Sequence, residues 1–257
     1  MANPMPLGVD VRGVAMKTIG LIGGMSWEST AEYYRLLNEF TRDRLGGLHS
    51  ARCVLYSVDF AEIEQLQVQG RWTEAGEILA AAAQALEAAG ADMVLICTNT
   101  MHKVADRVEA AVSIPLLHLA DATAEAVRAS GLHRVGLLGT AFTMEQDFYR
   151  GRLEAGGLDV RIPDADGRTT VHHVIYEELC LGIVRDESRA AYQKVITDLV
   201  AGGAEGIILG CTEIELLIGS EDSPVPVFPT ARLHAAAAVD AALSGTENDA
   251  PTASVSR

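Results

Sequence analysis

The sequence predicts an α/β protein made of two similar Rossmann-like domains, each a mainly parallel sheet with helices on both faces. Three observations lead there. Short Val/Ile/Leu-rich runs alternate with longer stretches of helical period between residues 18 and 243, as expected for strands covered on both faces by their connecting helices. That order then repeats. RVGLLGTAFT with MEQDFYRGRLEAGG resembles TIGLIGGMSW with ESTAEYYRLLNE, and AEGIILGCTEIELLIG resembles ADMVLICTNTMHKVAD. Gly20 lies 77 residues before Cys97 and Gly136 lies 75 before Cys211, and two markers in near register indicate an internal duplication. Finally, 49% of residues are hydrophobic but only 5% aromatic, with Ala-rich stretches such as ILAAAAQALEAAGA, so the helices carry small faces suited to packing on a sheet.

The elements follow in order. Residues 1–15 contain Pro and Gly without periodicity and are expected to form a flexible extension. TIGLIGG is a first strand and ESTAEYYRLLNEFTRDRL its helix; RCVLYSVDF, the helix AGEILAAAAQALEAAG, ADMVLICT, the helix TMHKVADRVEAA and IPLLHL come next. The first domain is expected over 16–117 and again over 227–245, where VPVFPTARLHAAAAVDAAL crosses back to complete it. The second domain is expected over 118–226. Residues 246–257 are small and polar and read as a disordered tail.

A net charge of −15 speaks against a nucleic-acid partner and against an anionic membrane surface. No apolar run is long enough for a transmembrane span, and no basic region with an apolar core opens the chain. Cys53, Cys97, Cys180 and Cys211 show neither a CxxC pair nor a disulfide-framework spacing. Free thiols in a cytoplasmic setting are expected, and no metal site.

Two of these cysteines end apolar runs, in VLICTNTMH and IILGCTEIE. Ligands of open parallel sheets bind beyond the carboxyl ends of the strands. Counterparts from two duplicated domains would therefore face one ligand from opposite sides. A cysteine where strand meets helix sees unpaired N–H groups and the positive end of the helix dipole, both favouring thiolate. Two opposed thiols suit paired proton transfer, one removing a proton from a carbon and the other returning one to its far face.

KTIGLIGGMSWEST, CTNTMH and GCTEI resemble the aspartate/glutamate racemase family that works without pyridoxal phosphate, over about residues 16–243, and GLIGGMSWEST is similar to its aspartate racemase-like branch. The resemblance implies a two-domain fold with the site in the interdomain cleft, racemisation of an amino-acid substrate without a cofactor, and a homodimer. It implies Cys97 and Cys211 as the acid/base pair. Asn99, Thr100 and Thr212 would hold the carboxylate or amino group, Met25 the floor, and Thr140 a contact from the second domain. Glutamate racemases of this superfamily carry Asp-Ser-Gly after the first strand and His after the second Cys-Thr; here stand Gly24-Met25-Ser26 and Glu213. Some aspartate racemases place a basic residue near ELxxG, where this chain has Ile183 after Gly182 and Arg185 beyond. The resemblance implies a small, acidic amino acid as substrate, and these departures open a broader range. Maleate isomerase- or hydantoin racemase-like chemistry, a non-catalytic binder and a thiol redox sensor are the alternatives.

Other residues carry weaker signals. The glycines of GLIGG do not match G-x-G-x-x-G, so a tight turn replaces a dinucleotide loop. Ser57 and Asp59 end the second strand and are candidates for lining the cleft; Arg52 and Arg185 are candidates for gripping a side-chain carboxylate. His102 could assist Cys97 or simply pack. His172, His173, Cys53 and Cys180 read as structural, and Glu177 and Glu178 as a solvated helix face.

Overall fold

The computed structural model describes residues 16–244. The extension expected over 1–15 and the tail over 246–257 lie outside the described residues. The first unit runs β1 (Ile19–Gly23), α1 (Trp27–Leu45), β2 (Cys53–Ser57), α2 (Phe60–Val68), α3 (Trp72–Ala88), β3 (Met93–Ile96), a 3-10 turn (Thr100–Val104) and α4 (Ala105–Glu109). Its strands form a parallel sheet in the order β2-β1-β3, and Leu116 of IPLLHL adds a single parallel bridge to Val94.

The second unit follows with α5 (Leu119–Ala129), β4 (Arg134–Gly139), α6 (Ala141–Glu145), α7 (Asp147–Ala155), β5 (Asp159–Arg161), α8 (Ala165–Glu177), a 3-10 turn (Leu179–Leu181), α9 (Asp186–Ala201), β6 (Gly206–Gly210) and a 3-10 turn (Thr212–Leu216). The described residues end with β7 (Val227–Pro229) and α10 (Thr230–Leu243). This sheet is parallel, in the order β5-β4-β6-β7. Two parallel sheets flanked by helices are what the alternation predicts. One detail differs. The return expected to begin at 227 starts with a strand of the second sheet, because Val227 and Phe228 pack into that core. Only α10 goes back, laying Ala231, Ala235, Ala238 and Ala242 against Tyr33, Leu36 and Leu37 of α1.

Strand residues point alternately to opposite faces, and both faces of the first sheet are covered. Met93, Leu95 and Cys97 join Ile19 and Leu21 in the core under α1 and α10, whereas Val94 and Ile96 join Ile22 in the core under α2, α3 and α4. Beyond β1 the chain must turn at once. Gly24 has φ +93°, and a Cβ there would collide with the Val58 carbonyl, so only glycine lets Met25 and Ser26 follow directly into α1.

Candidate active site

The carboxyl ends of β3 and β6 meet where the two units face each other. Between them lies a cavity of about 20 Å³, lined by Met25, Ser29, Thr98, Asn99, Thr100, Gly210, Cys211, Thr212 and Glu213. That is room for about one water molecule, so the cleft is closed. Five of the residues expected to bind substrate or flank the site are here: Met25, Asn99, Thr100, Thr212 and Glu213, together with Cys211.

Cys97 is not. Its side chain is fully buried in the core under α1 and α10, and its amide still belongs to the sheet, donating to the Ile22 carbonyl at 2.9 Å. The ladders give the reason. Gly20 pairs with Val94 and Gly136 with Ile207, so counting forward from these partners sets Cys97 level with Gly210 and Thr98 level with Cys211. Parity sends Cys97 inward and Thr98 to the cavity. The expectation of two opposed thiols is therefore corrected: one wall carries the Cys211 thiol, the other the Thr98 hydroxyl.

Nor is either thiol acidified. Burial pushes Cys97 far above the ordinary thiol range. Cys211 is also pushed well up, by burial first and then by the charge and hydrogen bond of Glu213. The low pKa expected from the strand–helix junction is overridden, because short 3-10 turns follow both strand ends and desolvation of the charged form dominates.

Glu213 organises the second wall. Cys211 Sγ donates to its Oε2 at 2.9 Å and Ser26 Oγ donates to its Oε1 at 2.8 Å. Ser29 Oγ donates to the Cys97 carbonyl at 3.1 Å and bonds Thr212 Oγ1 at 2.9 Å. On the first wall Asn99 Nδ2 donates to Thr230 Oγ1 at 3.2 Å, and Thr230 Oγ1 donates on to the Leu209 carbonyl at 2.9 Å. Asn99 Oδ1 is buried with no protein partner, a free acceptor at the edge of the cavity. Thr140 stands behind Thr100, their hydroxyls 3.3 Å apart, and caps α6 through the Thr143 amide. It does not line the cavity.

Ser57 ends β2, as expected, but is exposed and does not line the cavity. Asp59 caps α2. Arg52 lies outside the cavity, and Arg185 pairs with Glu178 at 3.3 Å. Glu178 itself is buried, accepting from Ser188 Oγ at 2.6 Å, which corrects its reading as a solvated side chain. Ser26 and Ser29 are not assigned to the site from the sequence, and Thr98 reads there only as a helix-capping type beside Cys97. Ser26 is the N-cap of α1, and a Ser-x-x-Ser start to a helix puts both hydroxyls on the first turn, facing whatever that terminus faces.

A wider chamber of about 390 Å³ adjoins the cavity, sharing Ser29, Thr212 and Glu213 and adding Glu28, Glu32, Arg35, Glu215, Leu216 and Arg232. Arg35 is held by Glu32 and Glu39, whereas Arg232 stacks on Phe40 at 5.2 Å. Among the described residues no group of His, Cys, Asp or Glu is arranged to hold a metal ion, and no helix is long and apolar enough to cross a membrane.

The family model for Asp/Glu/hydantoin racemases matches residues 22–238. The chain belongs to this family. A Yersinia pestis structure described as a candidate Asp/Glu racemase is 58% identical, covers 89% of this chain and 100% of its own, and superposes with a TM-score of 0.85. An aspartate racemase homologue from Pyrococcus horikoshii OT3 is 36% identical, with 88% and 99% covered and a TM-score of 0.79. Among curated relatives, a glutamate racemase of Streptococcus pyogenes serotype M3 is 28% identical over 130 residues, 49% of this chain and 46% of that protein.

Proposed function

We propose that this racemase-family chain removes and returns the α-proton of a small amino acid without a cofactor, and that Cys211 with Glu213 is its acid–base centre. The observation that carries the reading is the 2.9 Å hydrogen bond from Cys211 Sγ to Glu213 Oε2 at a closed interdomain cavity. Glu213 takes the thiol proton as the thiolate takes the α-proton from one face of the substrate. Backbone N–H groups at the starts of the two 3-10 turns stabilise the carboxylate as charge spreads onto it. Asn99 Oδ1, buried without a partner, accepts from the substrate ammonium.

The far face sees Thr98. A hydroxyl is a far weaker acid than a thiol, so return of the proton from Thr98 is slow compared with its return from Cys211. The chain then exchanges the α-hydrogen faster than it inverts the carbon. The substrate side chain extends into the adjoining chamber, where Arg232 meets a carboxylate; aspartate and glutamate are the first candidates.

Incubating a panel of single L- and D-amino acids in D2O, with NMR for α-hydrogen loss and chiral chromatography for inversion, tests this directly. Exchange that outruns inversion, and that disappears in Cys211→Ala, is the expected result. Arg232→Ala is expected to raise KM for acidic substrates alone, about tenfold. The absence of α-hydrogen exchange with every amino acid sinks the proposal. The one-thiol cavity favours a second reading, an isomerase of the same fold acting on a non-amino-acid substrate, which the same panel extended to hydantoins and maleate detects.

A further inference from the structure

Three histidines from separate segments meet beside the turn that follows Thr98. His102 comes from the 3-10 turn after β3, His118 from the chain crossing into the second unit, and His234 from α10, and all three are buried. The ring centroids of His102 and His118 lie 4.5 Å apart, and those of His102 and His234 5.8 Å apart, both edge-on.

Their partners fix their protonation. The Leu119 amide can only donate, and it lies 3.2 Å from His102 Nε2. Nε2 is therefore the bare nitrogen, and the proton sits on Nδ1, which donates to the Thr98 carbonyl at 2.8 Å. The Leu117 carbonyl can only accept, at 2.9 Å from His234 Nε2. His234 Nδ1 is then bare and accepts from Tyr33 Oη at 2.9 Å. His118 Nδ1 accepts from the Ala120 amide at 3.1 Å and caps α5. Burial lowers all three pKa values, to about 3 for His118 and about 4 for His234, so the assembly is neutral under working conditions.

The wiring is specific. Among the described residues the chain passes between the two units twice, at 117–119 and at 229–230. His234 holds the first crossing by Leu117. His102 holds the same crossing by Leu119 and, with its other nitrogen, the peptide of Thr98. Thr230 holds the second crossing and Asn99. A cavity of about 20 Å³ is too small for an amino acid, so its walls must move apart to take one, and these crossings are where the backbone can bend.

We propose that His102 is a positioning residue: one ring joins the peptide of Thr98 to the start of α5, so that closing the cleft and setting residues 98–100 against Cys211 are a single event. The proposal rests on the reading of Cys211 as the acid–base centre. His102 touches no reacting atom; it fixes the peptide between Thr98 and Asn99, two residues that line the cavity. Misplacement of such a wall by an ångström costs about 10²-fold in rate.

Two substitutions separate positioning from packing. Gln carries a donor and an acceptor and can serve both partners, whereas Phe fills the space and serves neither. Amide hydrogen exchange by mass spectrometry over segments 97–104 and 115–120, without substrate, is measured beside steady-state α-proton exchange. His102→Phe is expected to speed amide exchange at least about tenfold in both segments and to lower kcat about 10²-fold with KM within about twofold. His102→Gln restores most of the kcat. His234→Phe loosens 115–120 and lowers Tm but keeps kcat within about threefold.

A folded His102→Phe with wild-type kcat and unchanged exchange over 97–104 overturns the proposal, as does an equal loss of kcat in His234→Phe. Should the Phe variant not fold, His102→Asn, too short to hold both partners, takes its place with the same outcomes. If the wild type exchanges no α-proton, the functional reading has failed, and the amide-exchange arm still decides the coupling.

Discussion

Glu213 gives the Cys211 thiol a proton acceptor and at the same time opposes its ionisation, since its charge and hydrogen bond raise a pKa already lifted by burial. In Glu213→Gln the opposing charge is gone, so the thiolate forms at lower pH. The proton acceptor is gone too. The pH at which iodoacetamide alkylates Cys211 is therefore expected to fall, while α-hydrogen exchange slows by about 10²-fold. Reactivity and turnover moving in opposite directions distinguish a base from a residue that merely holds the thiol in place. If both fall together, Glu213 is structural.

At the scale of the element, two strand ends decide which side chains reach the cleft. Thr98→Cys gives the first wall the thiol that the second wall has, and inversion is expected to rise toward the rate of α-hydrogen exchange, by about tenfold or more. Cys97→Ala is expected to leave kcat unchanged and to cost about 1 kcal/mol of stability, because Sγ packs in the core beside Leu21 and Leu95. Chiral chromatography and urea denaturation check the two. Strand order and helix cover were legible because a buried parallel strand leaves a run of Val, Ile and Leu that little else imitates. The inward or outward sense of a strand's last residue was harder. Matching Gly20 to Cys97 and Gly136 to Cys211 tolerates the slip of a residue, and one residue flips a strand side chain to the other face. An ungapped match of ADMVLICT with AEGIILGC already sets Thr98 against Cys211. Asn99, Thr100, Thr212 and Glu213 were found despite the slip because loop residues beyond both strand ends crowd the same cavity. The chamber with Arg232 and Glu215 was out of reach of sequence, since it joins α1, α10 and a 3-10 turn far apart in the chain.

For the whole molecule, the three buried histidines make acid the weak side of stability. Each is neutral in the fold, with its pKa held below the unfolded value of about 6.5. Their contribution is fully present above pH 6.5 and is lost as pH falls toward 4, because the unfolded chain takes up protons that the fold refuses. Glu215 acts in the opposite sense. Burial, then the charge of Glu32, raises it to about 7, so its contribution is present below the unfolded value of about 4.3 and lost as pH rises through 7. Between pH 5 and 6 the unfolded chain therefore binds about two more protons than the fold, and stability should climb by about 2–3 kcal/mol per pH unit. His118 allows a clean check, since its ring nitrogen serves as the N-cap of α5 and Asn can cap equally well without titrating. His118→Asn is expected to keep the fold and to reduce that slope to about half, measured from guanidinium midpoints at pH 5, 5.5 and 6. An unchanged slope would mean that the acid sensitivity resides in groups other than this buried cluster.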